Sequence, residues 1–168
     1  AGAERGSSDD GSVLGVAEPL APEDAANRSG SPRTAPAQVF LDALTARDRA
    51  RIEASLTPDV RMRALLPSGH REYTGPGAIT AAFLSWFGEA EEFEVVATSV
   101  TEVAGRLSLS WRFRVQPAPF EDGEGWHIIE QYAVMDGSER IESIDLLCTG
   151  FEARSEEHTS ELQSLRHL

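Results

Sequence analysis

Residues 125–151 constrain the fold more than any other part of the chain, because they contain two apolar segments joined by a tight Asp-Gly turn. Such a turn between alternating segments is typical of a β-hairpin. Polar residues interrupt both strands: Glu130 and Gln131 in the first, and Asp145 in the second. An unpaired carboxylate inside an apolar strand is destabilising. Each acid therefore faces either water or a pocket.

Helices are predicted ahead of most of the strands. Apolar residues at helical spacing predict a helix after Pro36, a short second helix that contains Ile52 and Leu56, and a third helix that begins at Pro76. Period-two alternation predicts strands over residues 59–66, 91–103 and 106–116. Because the helices come mostly before the strands in the sequence, an α+β fold is favoured, in which three helices pack on one face of a mostly antiparallel sheet. If the sheet is strongly curved, it encloses a cone-shaped cavity.

The charge and the cysteine content exclude several classes of function. The net charge of −13 would repel phosphate backbones, so nucleic-acid binding is not expected. A single cysteine, Cys148, cannot form an intramolecular disulfide and fits a reducing compartment. Because the sequence shows neither a signal-peptide pattern nor a long apolar run, we predict a cytoplasmic protein that does not span a membrane.

The two ends of the chain differ in composition from the middle. Residues 1–34 are rich in Gly, Ser, Pro, Ala and acids, which predicts a disordered leader. Residues 154–164 resemble the translation of a common sequencing-library adapter, so we exclude residues 154–168 from the functional argument. The domain is therefore expected to span residues 35–153.

Metal and nucleotide sites are not expected. The four histidines are dispersed, and the cysteine has no partner ligand nearby in sequence. The Gly-Pro-Gly-Ala segment before the third helix lacks the lysine of a phosphate-binding loop. We expect no cofactor.

Three stretches together resemble the nuclear transport factor 2-like superfamily, especially its SnoaL-like, polyketide cyclase-like bacterial members. They are residues 40–64, residues 72–87 with the pattern T-G-x-x-A-I-x-x-x-F, and residues 139–151. The resemblance implies a cone-shaped α+β fold with a central pocket and frequent dimerisation through the outer sheet face. It does not imply a reaction, because the superfamily includes cyclases, isomerases, hydrolases, dehydratases and binding domains.

The positions that ketosteroid isomerases use within this superfamily are filled by inert residues. Alignment of the first helix and strand places Phe40 at the position of the family's phenol and Ala64 near that of the base. Phe40 has no hydroxyl to donate, and Ala64 cannot accept a proton. Ketosteroid isomerase activity is therefore not expected.

The candidate catalytic residues are Asp145 and Glu130. Strand alternation places Glu130 and His127 on opposite faces, whereas the strand of Asp145 is apolar on both faces and leaves its direction open. If Asp145 is enclosed, desolvation raises its pKa toward the range useful for general acid–base catalysis. The alternative is a structural pair with Arg112 or Arg114.

Six residues are candidates for ligand binding. They are Gln131, Tyr73, Trp86, Trp111, Phe113 and His127. The alternative is that the aromatic residues form the core and that the histidine is exposed to solvent.

Three hypotheses follow. The first is a small-molecule-binding domain with a hydrophobic pocket that carries a few polar groups. The second is a cofactor-independent cyclase, isomerase or hydratase-like enzyme with Asp145 or Glu130 as general acid or base. The third is a non-catalytic interaction module that uses the outer sheet face around Arg112 and Arg114. A homodimer through the outer sheet face is expected.

Overall fold

The computed structural model describes residues 31–119 and 125–154. These ranges contain three helices and six strands: α1 (Ala35–Thr45), α2 (Arg49–Ala54), β1 (Leu56–Leu66), β2 (Gly69–Thr74), α3 (Pro76–Phe87), β3 (Glu92–Val103), β4 (Arg106–Gln116), β5 (Trp126–Asp136) and β6 (Ile141–Arg154). Residues 31–34 lead through a turn into α1. The rest of the predicted leader and the adapter-like tail after Arg154 lie outside the described residues.

The six strands form one sheet in the order β2-β1-β6-β5-β4-β3. All neighbouring strands are antiparallel except β1 and β6, which are parallel. The predicted α+β fold with a mostly antiparallel sheet is therefore confirmed. The parallel pairing places Arg63 of β1 directly beside Asp145 of β6, and this contact decides where Asp145 lies.

Local sequence signals set the helix boundaries. A proline stands in the first turn of both α1 and α3, where a missing N–H costs nothing. The Asp48 side chain accepts a hydrogen bond from the backbone N–H of Arg51 and caps α2. The short second helix was predicted to include Leu56, and this is wrong. The helix ends at Ala54, and Leu56 is the buried first residue of β1.

The core lies between the three helices and the inner face of the sheet. On β4 the predicted alternation is confirmed, since the buried residues are Leu107, Leu109, Trp111, Phe113 and Val115. One aromatic cluster joins Phe40 of α1, Phe83 of α3 and Trp111, with ring centroids 5.6–6.3 Å apart. A second cluster joins Phe87, Phe93 and Phe113, with centroids 4.8–6.0 Å apart. Edge-to-face and tilted rings of this kind stabilise a core beyond their buried area.

Within the described ranges, no helix has both the length and the apolar character needed to cross a bilayer. The same residues contain no group of three side chains placed to hold a metal ion.

Candidate functional site

A cleft of about 600 Å³ opens on the inner side of the sheet, between the C-terminal half of α3, the β1–β2 turn and the paired strands β5 and β6. Its volume lies within the range of small-molecule sites. Its lining residues are Leu66, Pro67, Ser68, Tyr73, Ser85, Trp86, Ile129, Cys148, Thr149, Gly150 and Phe151. None of these eleven side chains is charged, so the described part of the cleft suits a neutral ligand.

A β-bulge on β6 shapes one wall of this cleft. Ile129 pairs with Phe151, but Gln131 pairs with Cys148, so β6 carries one extra residue over this interval. Without the bulge, Cys148 and Phe151 would face opposite sides of the sheet, because they are three residues apart. Gly150 lies in the bulge with φ +89°, a conformation that glycine adopts without strain. The bulge thus allows both residues to line the cleft.

A rigid aromatic row forms the wall opposite β6. The Trp86 ring packs edge to face against Phe83 with centroids 5.4 Å apart, and Phe83 lies 6.0 Å from Trp111. Phe83 and Trp111 are almost completely buried, whereas Trp86 lines the cleft. The aromatic wall is therefore supported from behind by the core.

A buried amide lies beside the cleft wall. Gln131 is completely buried on the inner face of β5, two residues after Ile129 and directly across from Cys148. The indole Nε1–H of Trp111 donates to Gln131 Oε1 at 2.7 Å. The Nε2 atom of the same amide is buried without a hydrogen-bond partner among the described residues. A buried donor without a hydrogen-bond partner is unusual, because it destabilises the fold unless an acceptor binds to it.

The predicted ligand-binding residues are divided by the structure into three groups. Tyr73 and Trp86 line the cleft. Trp111 and Gln131 form a hydrogen-bonded pair next to its wall. Phe113 packs between Phe87 and Phe93 in the core and does not line the cleft.

His127 was expected to be exposed, and this is wrong, because only 4% of it is accessible. It lies on the inner face of β5, paired with Val115 and Ala153, and its Nδ1 atom has no hydrogen-bond partner among the described residues. Strand alternation correctly predicted that His127 and Glu130 lie on opposite faces of the sheet. The position beside a glycine-rich loop suggested exposure, but the helices cover this face of the sheet.

Asp145 lies on the outer face of the sheet, away from the cleft. Arg63 Nε donates to its Oδ1 atom at 2.7 Å, and Arg106 Nη2 donates to its Oδ2 atom at 3.3 Å. These guanidinium groups, Arg63 first, hold the pKa of Asp145 below its ordinary value. A raised pKa was expected only if Asp145 were enclosed, and this condition is not met on the outer face between two arginines. The structural pair exists, but its partners are Arg63 and Arg106, neither of the two arginines expected.

The same network extends to the end of β5. Arg106 also donates to both carboxylate oxygens of Asp136, at 2.8–3.1 Å, and the Ser143 hydroxyl donates to Asp136 Oδ2 at 3.0 Å. Chiefly through Arg106, these contacts lower the pKa of Asp136. Both carboxylates are therefore ionised and paired at neutral pH.

Glu130 also lies on the outer face. It forms an ion pair with Arg112 and accepts a hydrogen bond of 2.7 Å from the Tyr132 hydroxyl, which raises the pKa of Tyr132. Arg114 pairs with Glu94 at 3.0 Å. Both candidate carboxylates thus face away from the cleft. Neither one is enclosed in a pocket where it could act as a general acid or base on a ligand of the cleft.

A second recess, of about 580 Å³, lies on the outer face between β1, β4, β5 and β6. Three of its lining residues, Leu65, Tyr132 and Leu147, are large apolar side chains with 44–53% of their surface exposed. The charged residues Arg63 and Asp145 also line this recess. This outer-face groove and the inner cleft are on opposite sides of the sheet.

Sequence reasoning did not identify Cys148 or Phe151 as lining residues. Nor did it identify the β1–β2 turn, which brings Pro67 against Gly150. The one local signal was the glycine inside an apolar strand, which is typical of a bulge or a close backbone approach. The contact with Pro67 depends on the parallel pairing of β1 with β6, which no local pattern encodes.

Comparison with known proteins concerns the family and the fold. A family model for the SnoaL-like domain matches residues 37–142. No curated protein is similar enough to the chain to match it by sequence.

Several solved structures share the fold. A protein from Kribbella flavida proposed to be a ketosteroid isomerase is 14% identical with a TM-score of 0.53, covering 74% of this chain and 81% of its own. A proposed polyketide cyclase from Xanthomonas campestris is 16% identical with a TM-score of 0.53, covering 72% and 91%. A phenazine biosynthesis-related protein from Pseudomonas aeruginosa is 12% identical with a TM-score of 0.54, covering 70% and 77%. At such identities the likeness concerns the fold and not the activity.

Proposed function

The chain belongs to the SnoaL-like domain family, and from this premise we propose that it binds a neutral, largely apolar small molecule in the cleft beside Tyr73 and Trp86. The observation that carries the proposal is the cleft itself, whose volume of about 600 Å³ suits such a ligand. Its aromatic wall supplies apolar contact area at little cost in side-chain entropy, because Trp86 is already held by Phe83.

Binding without chemistry is the function that this geometry supports best. General acid–base catalysis needs a titratable group within hydrogen-bond reach of the substrate. Asp145 and Glu130 point to the other side of the sheet, and no described lining residue of the cleft carries a carboxylate. A cyclase, isomerase or hydratase that uses either carboxylate is therefore the less favoured function.

The chain offers a matched pair of variants for testing this proposal. It contains two tyrosines, of which Tyr73 lines the cleft and Tyr132 lies on the outer face. Binding of the neutral fluorescent probe N-phenyl-1-naphthylamine is measured by titration. We expect Tyr73→Ala to weaken binding about 3- to 10-fold, as for the loss of one aromatic contact, and Tyr132→Ala to leave it unchanged. Equal weakening by both variants, or no saturable binding, would refute the proposal.

We propose further that two copies of the chain associate through the outer-face groove. Leu65, Tyr132 and Leu147 present exposed apolar surface there, and a two-fold axis would place the same surface on both partners. Light scattering after size exclusion tests this. Leu147→Glu is expected to give a monomer, whereas Val39→Glu, at a somewhat more exposed position on α1, should retain the dimer. A monomeric wild-type chain would contradict the proposal.

A further inference from the structure

We infer that the ligand of the cleft carries a neutral carbonyl group, whose oxygen accepts a hydrogen bond from Nε2 of Gln131. The inference rests on the proposed function, because it names the chemical class of the ligand for the same cleft. It begins from the one buried amide in the described residues whose nitrogen has no partner.

The orientation of this amide is determined by its neighbour. An indole N–H can only donate a hydrogen bond, so the atom that lies 2.7 Å from Trp111 Nε1 must be the amide oxygen of Gln131. The amide nitrogen is therefore the atom left over, and it offers two N–H groups and no acceptor. Because Trp111 is packed against Phe40 and Phe83, the indole cannot turn away and release the amide.

The position of the amide relates it to the cleft. Gln131 shares the inner face of β5 with Ile129 and is the cross-strand partner of Cys148, and both of these neighbours line the cleft. Side chains directly opposite on antiparallel strands have Cβ atoms about 5 Å apart. Gln131 is completely buried and is not itself a lining residue of the cleft, so the amide nitrogen is reached by a ligand group that enters between Ile129 and Cys148.

The remaining unpaired atoms do not define a ligand class. The hydroxyls of Thr57 and Thr80 can rotate to donate or accept, and Nδ1 of His127 can do either according to the tautomer. Gln131 alone has a fixed role, that of a donor.

The described lining of the cleft is uncharged, which favours a neutral acceptor over an anionic one. A carboxylate buried beside Gln131 would need a cationic partner to offset its desolvation. Arg63, Arg106, Arg112 and Arg114 are paired with acids on the outer face, and no described lining residue of the cleft is a cation. A ketone, quinone or ester oxygen satisfies the donor without this cost.

Matched pairs of neutral probes test the inference on the full chain. Each pair differs only in the carbonyl group: benzophenone and diphenylmethane, or fluorenone and fluorene. Dissociation constants are measured by intrinsic fluorescence and by thermal shift. We expect the wild-type chain to bind each ketone about tenfold more tightly than its hydrocarbon, the effect of one hydrogen bond to a buried donor. Gln131→Met, which keeps the side-chain length but removes the donor, should abolish the difference. Glu130→Gln, on the adjacent residue of the opposite face, should preserve it.

The outcomes separate this inference from the proposed function. Equal binding of ketone and hydrocarbon by the wild-type chain would overturn the inference and leave the apolar cleft standing. A ketone preference that persists in Gln131→Met would also overturn it, because the donor would then lie elsewhere. If no probe binds up to its solubility limit, the proposed function fails, and the inference fails with it. The wild-type comparison alone decides the matter if the Gln131 variant does not fold.

Discussion

The hydrogen bond between Trp111 and Gln131 makes a specific prediction about stability, because the effect of replacing Gln131 depends on which residue occupies position 111. In the wild-type chain, Gln131→Met removes the unpaired Nε2 donor but also leaves the indole N–H of Trp111 without its acceptor. Each unpaired buried group is destabilising by about 1–3 kcal/mol. The two effects oppose each other, so the expected change in the free energy of unfolding is close to zero.

In a Trp111→Phe background the same substitution has a different effect. The phenylalanine has no N–H. In the single Trp111→Phe variant, both polar atoms of the Gln131 amide are therefore buried without partners. In the double variant with Gln131→Met, no buried polar group is left unpaired at this pair of positions. Trp111→Phe alone is expected to destabilise the fold by about 2–5 kcal/mol, through the lost volume and the orphaned oxygen. Adding Gln131→Met to it should then restore about 1–3 kcal/mol or more.

Urea unfolding followed by far-UV circular dichroism measures all four proteins of this double-mutant cycle. A coupling energy of about 1–3 kcal/mol, with the double variant more stable than additivity predicts, is the expected result. The matched control replaces Trp86 by Phe, because Gln131 accepts from the indole of Trp111 and not from that of Trp86. If Gln131→Met changes stability equally in the wild-type and Trp111→Phe backgrounds, within about 0.5 kcal/mol, the reasoning is refuted.

Three further predictions concern single residues. Gly150→Ala should destabilise the fold by about 1–3 kcal/mol in urea unfolding, because φ is +89° and a Cβ atom would lie 2.8 Å from Pro67 Cγ; Gly77→Ala, with open space around it, should not, and equal effects would contradict the bulge geometry. Asp145→Asn should destabilise the fold by at most about 1 kcal/mol at pH 7. Since the pKa of Asp145 is lowered in the folded state, this difference is full above the ordinary Asp pKa of about 3.9 and is lost as the pH falls through the lowered folded-state pKa; a difference that does not shrink on acidification would contradict it. Cys148 is the single cysteine, so the intact mass of the protein reports its alkylation by N-ethylmaleimide. Saturating N-phenyl-1-naphthylamine should slow this alkylation, and an unchanged rate would show that the probe binds outside the cleft.

The parts of the fold that depend on local patterns could be predicted from the sequence. The alternation on β4 and β5 correctly separated the buried from the outward residues, because a strand that is half covered keeps period two. The start of α3 followed from Pro76. The end of α2 was misplaced, because Leu56 continues the helical spacing of Ile52 but is buried in β1 instead.

The parts of the site that depend on pairing between distant strands could not be predicted in this way. β6 carries apolar residues on both faces, so its own sequence leaves the direction of Asp145 open. The direction follows from the parallel register with β1, which aligns Asp145 with Arg63, 82 residues earlier in the chain. The bulge at Gly150 likewise becomes interpretable only when Pro67 is placed against it.

The amide of Gln131 connects stability with function. A donor that is completely buried and unpaired lowers the stability of the fold, and the double variant Trp111→Phe/Gln131→Met removes it together with the indole N–H. If the amide served packing alone, this variant would lose nothing except the volume of the indole. Under the ketone inference it should still bind diphenylmethane, yet bind benzophenone no more tightly. A double variant that keeps the tenfold preference for the ketone would show that the polar pair has no role in recognition, and the buried donor would then be left without an explanation.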